Sequence, residues 1–204
     1  SFIQRARAER PDATFDIRQL TPHDDSMFVI QYIEPEPGNE EAVGLDIGSE
    51  NMRRNAATEA ARANEVRLTG PITLVQAKQK SQQGFLILLP VYQSDLALND
   101  ESGRAKLLFG WSYAVILIDE VLTATSGLSD DVVFSITDIT RHPELGFFQR
   151  GHNASAIEQY HQQQLLNLFG RTWRLDLYPT TDFIQTLALP AKEQVLLEIW
   201  LVSL

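Results

Sequence analysis

The apolar positions of this chain fall into short runs with two different rhythms. Phe2, Ile3 and Ala6 sit at i, i+1 and i+4, one face of a helix, and Pro11 ends that run. Thr14 to Leu20 alternates apolar and polar, which predicts a half-buried strand. Met27 to Ile33 is β-branched and aromatic and predicts a second strand, followed by the prolines Pro35 and Pro37, which force extended backbone. Ser49 fits a helix N-cap, with Glu50 in the first turn where the helix dipole favours an acid. The helix runs to about Asn64 and is rich in alanine, with Met52, Ala56, Ala60 and Ala63 on one face, so it can lie close on a sheet. Gly70-Pro71 is a turn. Gly84 to Tyr92 is a continuous apolar run and predicts a central strand buried on both faces.

Ser94 to Gly103 is polar and is the best candidate for a boundary. A second cycle follows. Lys106 to Val115 reads as a strand, Ile116 to Thr125 as a helix and Val132 to Ile139 as a strand. Gln162 to Phe169 and Thr172 to Tyr178 read as two antiparallel strands around Gly170-Arg171, and Trp173 is expected in the core. Pro190 to Leu204 looks like a helix cut off mid-pattern. The order predicts an α+β chain of two tandem units, each an antiparallel sheet with a helix, divided near Ser94 to Gly103.

With 44% hydrophobic and 22% charged residues the chain is an ordinary globular one. Its net charge of −10 argues against nucleic acid and against an anionic lipid surface, both of which select a basic face. There is no cysteine, which removes disulfides, thiolate metal sites and a cysteine nucleophile. No catalytic motif is present, no metal site is expected and no cofactor is implied. The histidines His23, His142, His152 and His161 and the acidic pairs Asp24-Asp25, Glu40-Glu41 and Asp130-Asp131 read as solvated polar residues. Arg53-Arg54 stands out: two cations near the positive end of a helix, where the dipole disfavours them. Either one of them salt-bridges a nearby acid (Glu40, Glu41 or Glu50, with Asp46 a further partner for Arg53) and the other is solvated, or they form an anion site.

An ordered set of strings resembles the CHASE domain, the extracytoplasmic sensing module of transmembrane receptors. It begins with Phe2-Ile3-Gln4-Arg5 and Ile30-Gln31-Tyr32-Ile33-Glu34-Pro35, then Gly44-Leu45-Asp46-Ile47-Gly48-Ser49. Arg53-Arg54-Asn55-Ala56-Ala57, Leu68-Thr69-Gly70-Pro71 and Gly84 to Tyr92 follow. The resemblance covers residues 1–125 well and is looser beyond.

The resemblance implies two tandem PAS-like antiparallel-sheet subdomains after the tail of a long N-terminal helix. Residues 1–11 would end that stalk helix, 12–98 would form a membrane-distal ligand-binding unit and 99–204 a membrane-proximal unit. A C-terminal helix would then lead toward a membrane span. It implies no catalysis, a periplasmic location in a membrane-anchored parent, a homodimer in the full-length receptor and a small-molecule ligand. The pocket would lie between the distal sheet and the helix after Ser49. The family's contact positions fall at Thr69, at Leu88, near Val75 for a backbone contact, and at Arg53, where plant members carry an acid that binds an adenine edge. A guanidinium only donates hydrogen bonds, so cytokinin recognition by the plant geometry is not expected. A small anionic ligand held by Arg53 with help from Thr69 is. The output would be a histidine kinase or a cyclic-di-GMP enzyme. A small soluble α/β enzyme and a ligand-free structural or dimerisation module are the other readings.

Overall fold

A computed structural model describes residues 2–10, 14–74, 83–94, 100–124, 132–151 and 156–187. Helix α1 (Phe2–Ala8) buries Ala6, and Phe2 meets Phe15 edge-on at 5.8 Å. The alternating run after it forms only a two-residue strand, β1 (Arg18–Gln19), parallel to β2 (Leu45–Asp46). The expected strand Met27 to Ile33 shrinks to a single bridge, Val29 to Asp46. One edge of this segment is hydrogen-bonded, through Ile30 N–H to Leu45 O at 2.9 Å and Ile47 N–H to Phe28 O at 2.9 Å. Its other edge faces a cleft instead of a strand, so no ladder extends it. Gly44, which sits opposite, has φ +79°, and a Cβ there would lie 2.1 Å from Asp16 O, so only glycine fits.

Helix α2 (Asn51–Ala63) is capped by Glu50, whose carboxylate accepts from Met52 N–H and Arg53 N–H, not by Ser49. The Ser49 hydroxyl is already used: it donates to Asp46 O and accepts from Leu20 N–H. At the other end Asn64 closes the helix in the left-handed conformation, a role asparagine tolerates. Ala56, Ala57 and Ala60 are buried, and Trp111 Nε1–H donates to Ala57 O at 2.8 Å, an approach that small side chains permit.

The first sheet is built on β5 (Gln83–Tyr92). Strands β3 (Arg67–Leu68) and β4 (Ile72–Thr73) pair antiparallel along one edge of it. After α3 (Glu101–Leu107), β6 (Leu108–Leu117) pairs antiparallel along the other edge, with Leu86 opposite Val115 and Leu88 opposite Tyr113. This corrects the expected division near Ser94 to Gly103. The polar break lies inside a long hairpin, and the strand beyond it completes the first sheet. The sheets change after α4 (Ile118–Ala124). Asp100, Glu101 and Ser102, at the described end of the break, are exposed, and polar exposed residues suit a hairpin connection as well as a domain boundary.

The second sheet has the order β8-β7-β10-β9, with β7 (Val132–Asp138), β8 (Leu145–Arg150), β9 (Gln162–Leu168) and β10 (Arg171–Pro179), all antiparallel. The short helix α5 (Thr181–Thr186) follows. Val75, His152 and the expected helix Pro190 to Leu204 lie outside the described residues. Among the described residues no helix is long and apolar enough to cross a membrane.

The two faces of β5 serve two cores. Leu86 and Leu88 pack under α2 with Ile30, Leu45, Ile47, Ile72 and Leu74. Phe85 enters the other core, where Phe147 and Trp173 of the second sheet surround it at centroid distances of 4.9 and 5.0 Å.

Candidate functional site

The apolar face of the first sheet is covered by α2 along only part of its width. Beside the helix, a cleft of about 1750 Å³ separates β6 from residues 27–39. Phe28, Ile30, Ile33, Trp111 and Val115 give it an apolar lining, with Arg5, Glu9 and Glu34 among its polar residues. At its floor lies a small cavity of about 20 Å³, space for one water-sized group. Ile30, Ile47, Leu74, Tyr113 and Val115 border both cleft and cavity, so a thin apolar wall divides them.

Arg53 borders that cavity from α2 and is 3% exposed. Its Nη2 donates to Thr73 O at 2.8 Å, while Nε and Nη1 have no hydrogen-bond partner among the described residues. Glu50 is the nearest acid, with 4.0 Å between Nε and its Oε2. That distance is too long for a hydrogen bond, and Glu50 already caps the helix. Burial lowers the pKa of Arg53 from its ordinary value, with the Glu50 charge opposing. A guanidinium keeps its charge regardless, so the site carries a cation short of partners.

Tyr113, from β6, borders the same cavity, and its hydroxyl is also buried without a partner among the described residues. Burial pushes that phenol up to about 12, so it stays protonated and can donate. Sequence pattern does not single out Tyr113, because an aromatic in an apolar strand reads as core. Its hydroxyl becomes notable only once register sets it opposite Leu88, on the same face as Leu86 and Val115.

The neighbouring arginine has a different task. Arg54 Nε donates to Gly48 O at 2.5 Å and its Nη2 to Ser26 O at 2.9 Å, while its guanidinium lies over the Phe28 ring at 4.9 Å. It fixes the start of the cleft wall. Asp46, fully buried, supports the same turn by accepting from Phe28 N–H, Gly48 N–H and the His23 ring at 2.8, 2.9 and 2.7 Å. His23 Nδ1 accepts from Asp25 N–H, which leaves Nε2 to donate to Asp46. His161 likewise pairs with Asp176 at 2.8 Å and stacks on Tyr178. Two of the histidines expected as solvated therefore hold buried carboxylates. Among the described residues no three His, Asp or Glu side chains gather as a metal site.

The CHASE domain family model matches residues 1–148, which takes in the whole first sheet, α2 and the start of the second sheet. The chain belongs to the CHASE domain family. CHASE domains are extracellular, non-catalytic sensor domains of membrane signalling receptors. Comparison with curated proteins gives no match. In this CHASE domain the residues singled out by resemblance separate in space. Arg53 borders the cavity. Thr69 does not: it is fully buried, and its hydroxyl accepts from Leu86 N–H at 3.0 Å, which commits it to the sheet backbone. Leu88 packs in the core beneath α2 and borders neither cavity nor cleft.

Proposed function

We propose that this CHASE domain is the periplasmic small-molecule sensor of a bacterial transmembrane receptor, and that the cleft between β6 and residues 27–39 admits its ligand. One observation carries the reading: a buried arginine, with two nitrogens unpartnered among the described residues, borders a small cavity just behind the wall of an open cleft. Burying such a cation is costly unless something completes its hydrogen bonds, so its retention is better suited to binding than to packing. In this reading Arg53 anchors the ligand. Ligand binding favours one arrangement of the cleft wall, and the bias passes to the flanking helices as a population shift. The two sheets correspond to PAS-like units, the receptor works as a membrane-anchored homodimer, and a histidine kinase or a cyclic-di-GMP enzyme reads the signal.

A metabolite screen by thermal shift tests this, with each hit repeated on Ile33→Trp. Ile33 is half-buried and lines the cleft on the wall across from β6, so the larger indole there narrows the cleft. Hits that raise the midpoint of the parent chain should lose their effect in the variant. Hits that bind both chains equally would remove the cleft as the sensing site.

A further inference from the structure

We propose that the ligand is a monocarboxylate with an apolar body, read by Arg53 and Tyr113 together. This rests on the cleft being the sensing site and adds which chemistry it selects. The two side chains border the cavity from different elements, α2 and β6, and both bring donors that lack acceptors among the described residues. A carboxylate supplies what is missing: acceptor oxygens with about four lone-pair positions and a single negative charge for a single guanidinium. A neutral purine edge carries donors as well, and these would face donors here.

Size and lining narrow the class further. A cavity of about 20 Å³ takes one carboxylate oxygen, and the rest of a small flat head needs less further room from the wall than a tetrahedral phosphate would. Above it the cleft is walled by Phe28, Ile33 and Trp111, with Phe28 and Trp111 rings 4.5 Å apart. That surface suits an aliphatic or aromatic body. The head reaches Arg53 only when the wall of Ile30, Ile47 and Leu74 yields, so loading the site moves the very segment that the signal needs to move.

Calorimetry on the whole chain with octanoate and 3-phenylpropionate, each beside its neutral amide, tests the assignment. At least one acid should bind, with its amide about 30-fold weaker or worse. Tyr113→Phe should weaken the acid about tenfold, the loss of one hydrogen bond to a charged group, and should not lower the melting midpoint of the free chain, because that hydroxyl has no partner among the described residues to lose. Arg53→Met should abolish binding of the acid, while the free chain loses no more stability than its single hydrogen bond to Thr73 O supplies. A purely structural role for either side chain predicts the reverse, a lower midpoint with the preference for acid over amide intact. Amides that bind as tightly as their acids, full acid affinity in Tyr113→Phe, or no binding of either acid would overturn the proposal. A neutral screening hit lost in Ile33→Trp would overturn the carboxylate assignment while the sensing cleft stood. An acid that bound Ile33→Trp undiminished would overturn the site itself.

Discussion

Asp46 and Arg53 are both charged, both almost completely buried, and seven residues apart, yet their surroundings give them opposite meanings. Asp46 has its acceptors filled. Burial alone would raise its pKa, but the hydrogen bonds from Phe28 N–H, His23, Gln19 and Gly48 N–H hold the carboxyl below the usual carboxylate range. A carboxyl with a lowered folded-state pKa adds stability above its unfolded value, and that stability is lost as the pH falls toward the folded one. Asp46→Ala should therefore cost about 3 kcal/mol at pH 7, since two buried N–H groups lose an ionised acceptor. The cost should shrink as the pH falls below about 4, and melting curves of parent and variant across pH check both points. Arg53, with donors left over, is the residue whose removal should cost binding more than stability. The sequence singles it out by its unusual place near a helix N-terminus, but not its direction, because helical periodicity leaves both the acid at Glu50 and the inward cavity within reach. Tyr113 was not legible at all: what marks it is the absence of a partner, which only the packed structure reveals.

At the scale of elements, long strongly patterned segments were legible and short ones were not. Helix α2 and strands β5, β7 and β10 lie where periodicity puts them, because each buries apolar side chains in a core; β9 also lies where expected, although it is mostly exposed. The segments around residues 14–20 and 27–33 carry strand-like composition, yet most of their length forms no ladder. Their composition lines a cleft as well as it would line a sheet. The break after Tyr92 misled for a related reason, since pattern alone does not tell a hairpin connection from a linker. Strand β5 is where the first core is decided. Leu88 is fully buried beneath α2, so Leu88→Ala should cost about 2–5 kcal/mol. A chemical-denaturation midpoint that did not move would mean that this face of β5 is not packed as the register requires.

For the whole molecule, β5 is the shared wall. One face lines the core behind the cleft, and the other places Phe85 against Phe147 and Trp173, which themselves lie 4.8 Å apart. A shift in the first sheet therefore meets the second sheet through a closely packed aromatic cluster, and close packing transmits displacement better than it absorbs it. Phe85→Ala should cost about 3–5 kcal/mol and, in a thermal melt followed by a probe in each sheet, should bring the two transitions apart. Coincident transitions at an unchanged midpoint would show that the sheets do not depend on this contact.

The central claim is that the cleft, with Arg53 just behind its wall, is where this CHASE domain meets its ligand. A crystal structure of the chain with a ligand from the thermal-shift screen measures that directly. The account predicts density between β6 and residues 27–35, with an acceptor oxygen within hydrogen-bond distance of the Arg53 guanidinium and of the Tyr113 hydroxyl. Density in another place, or a ligand in the cleft with both donors still turned away from it, would contradict it.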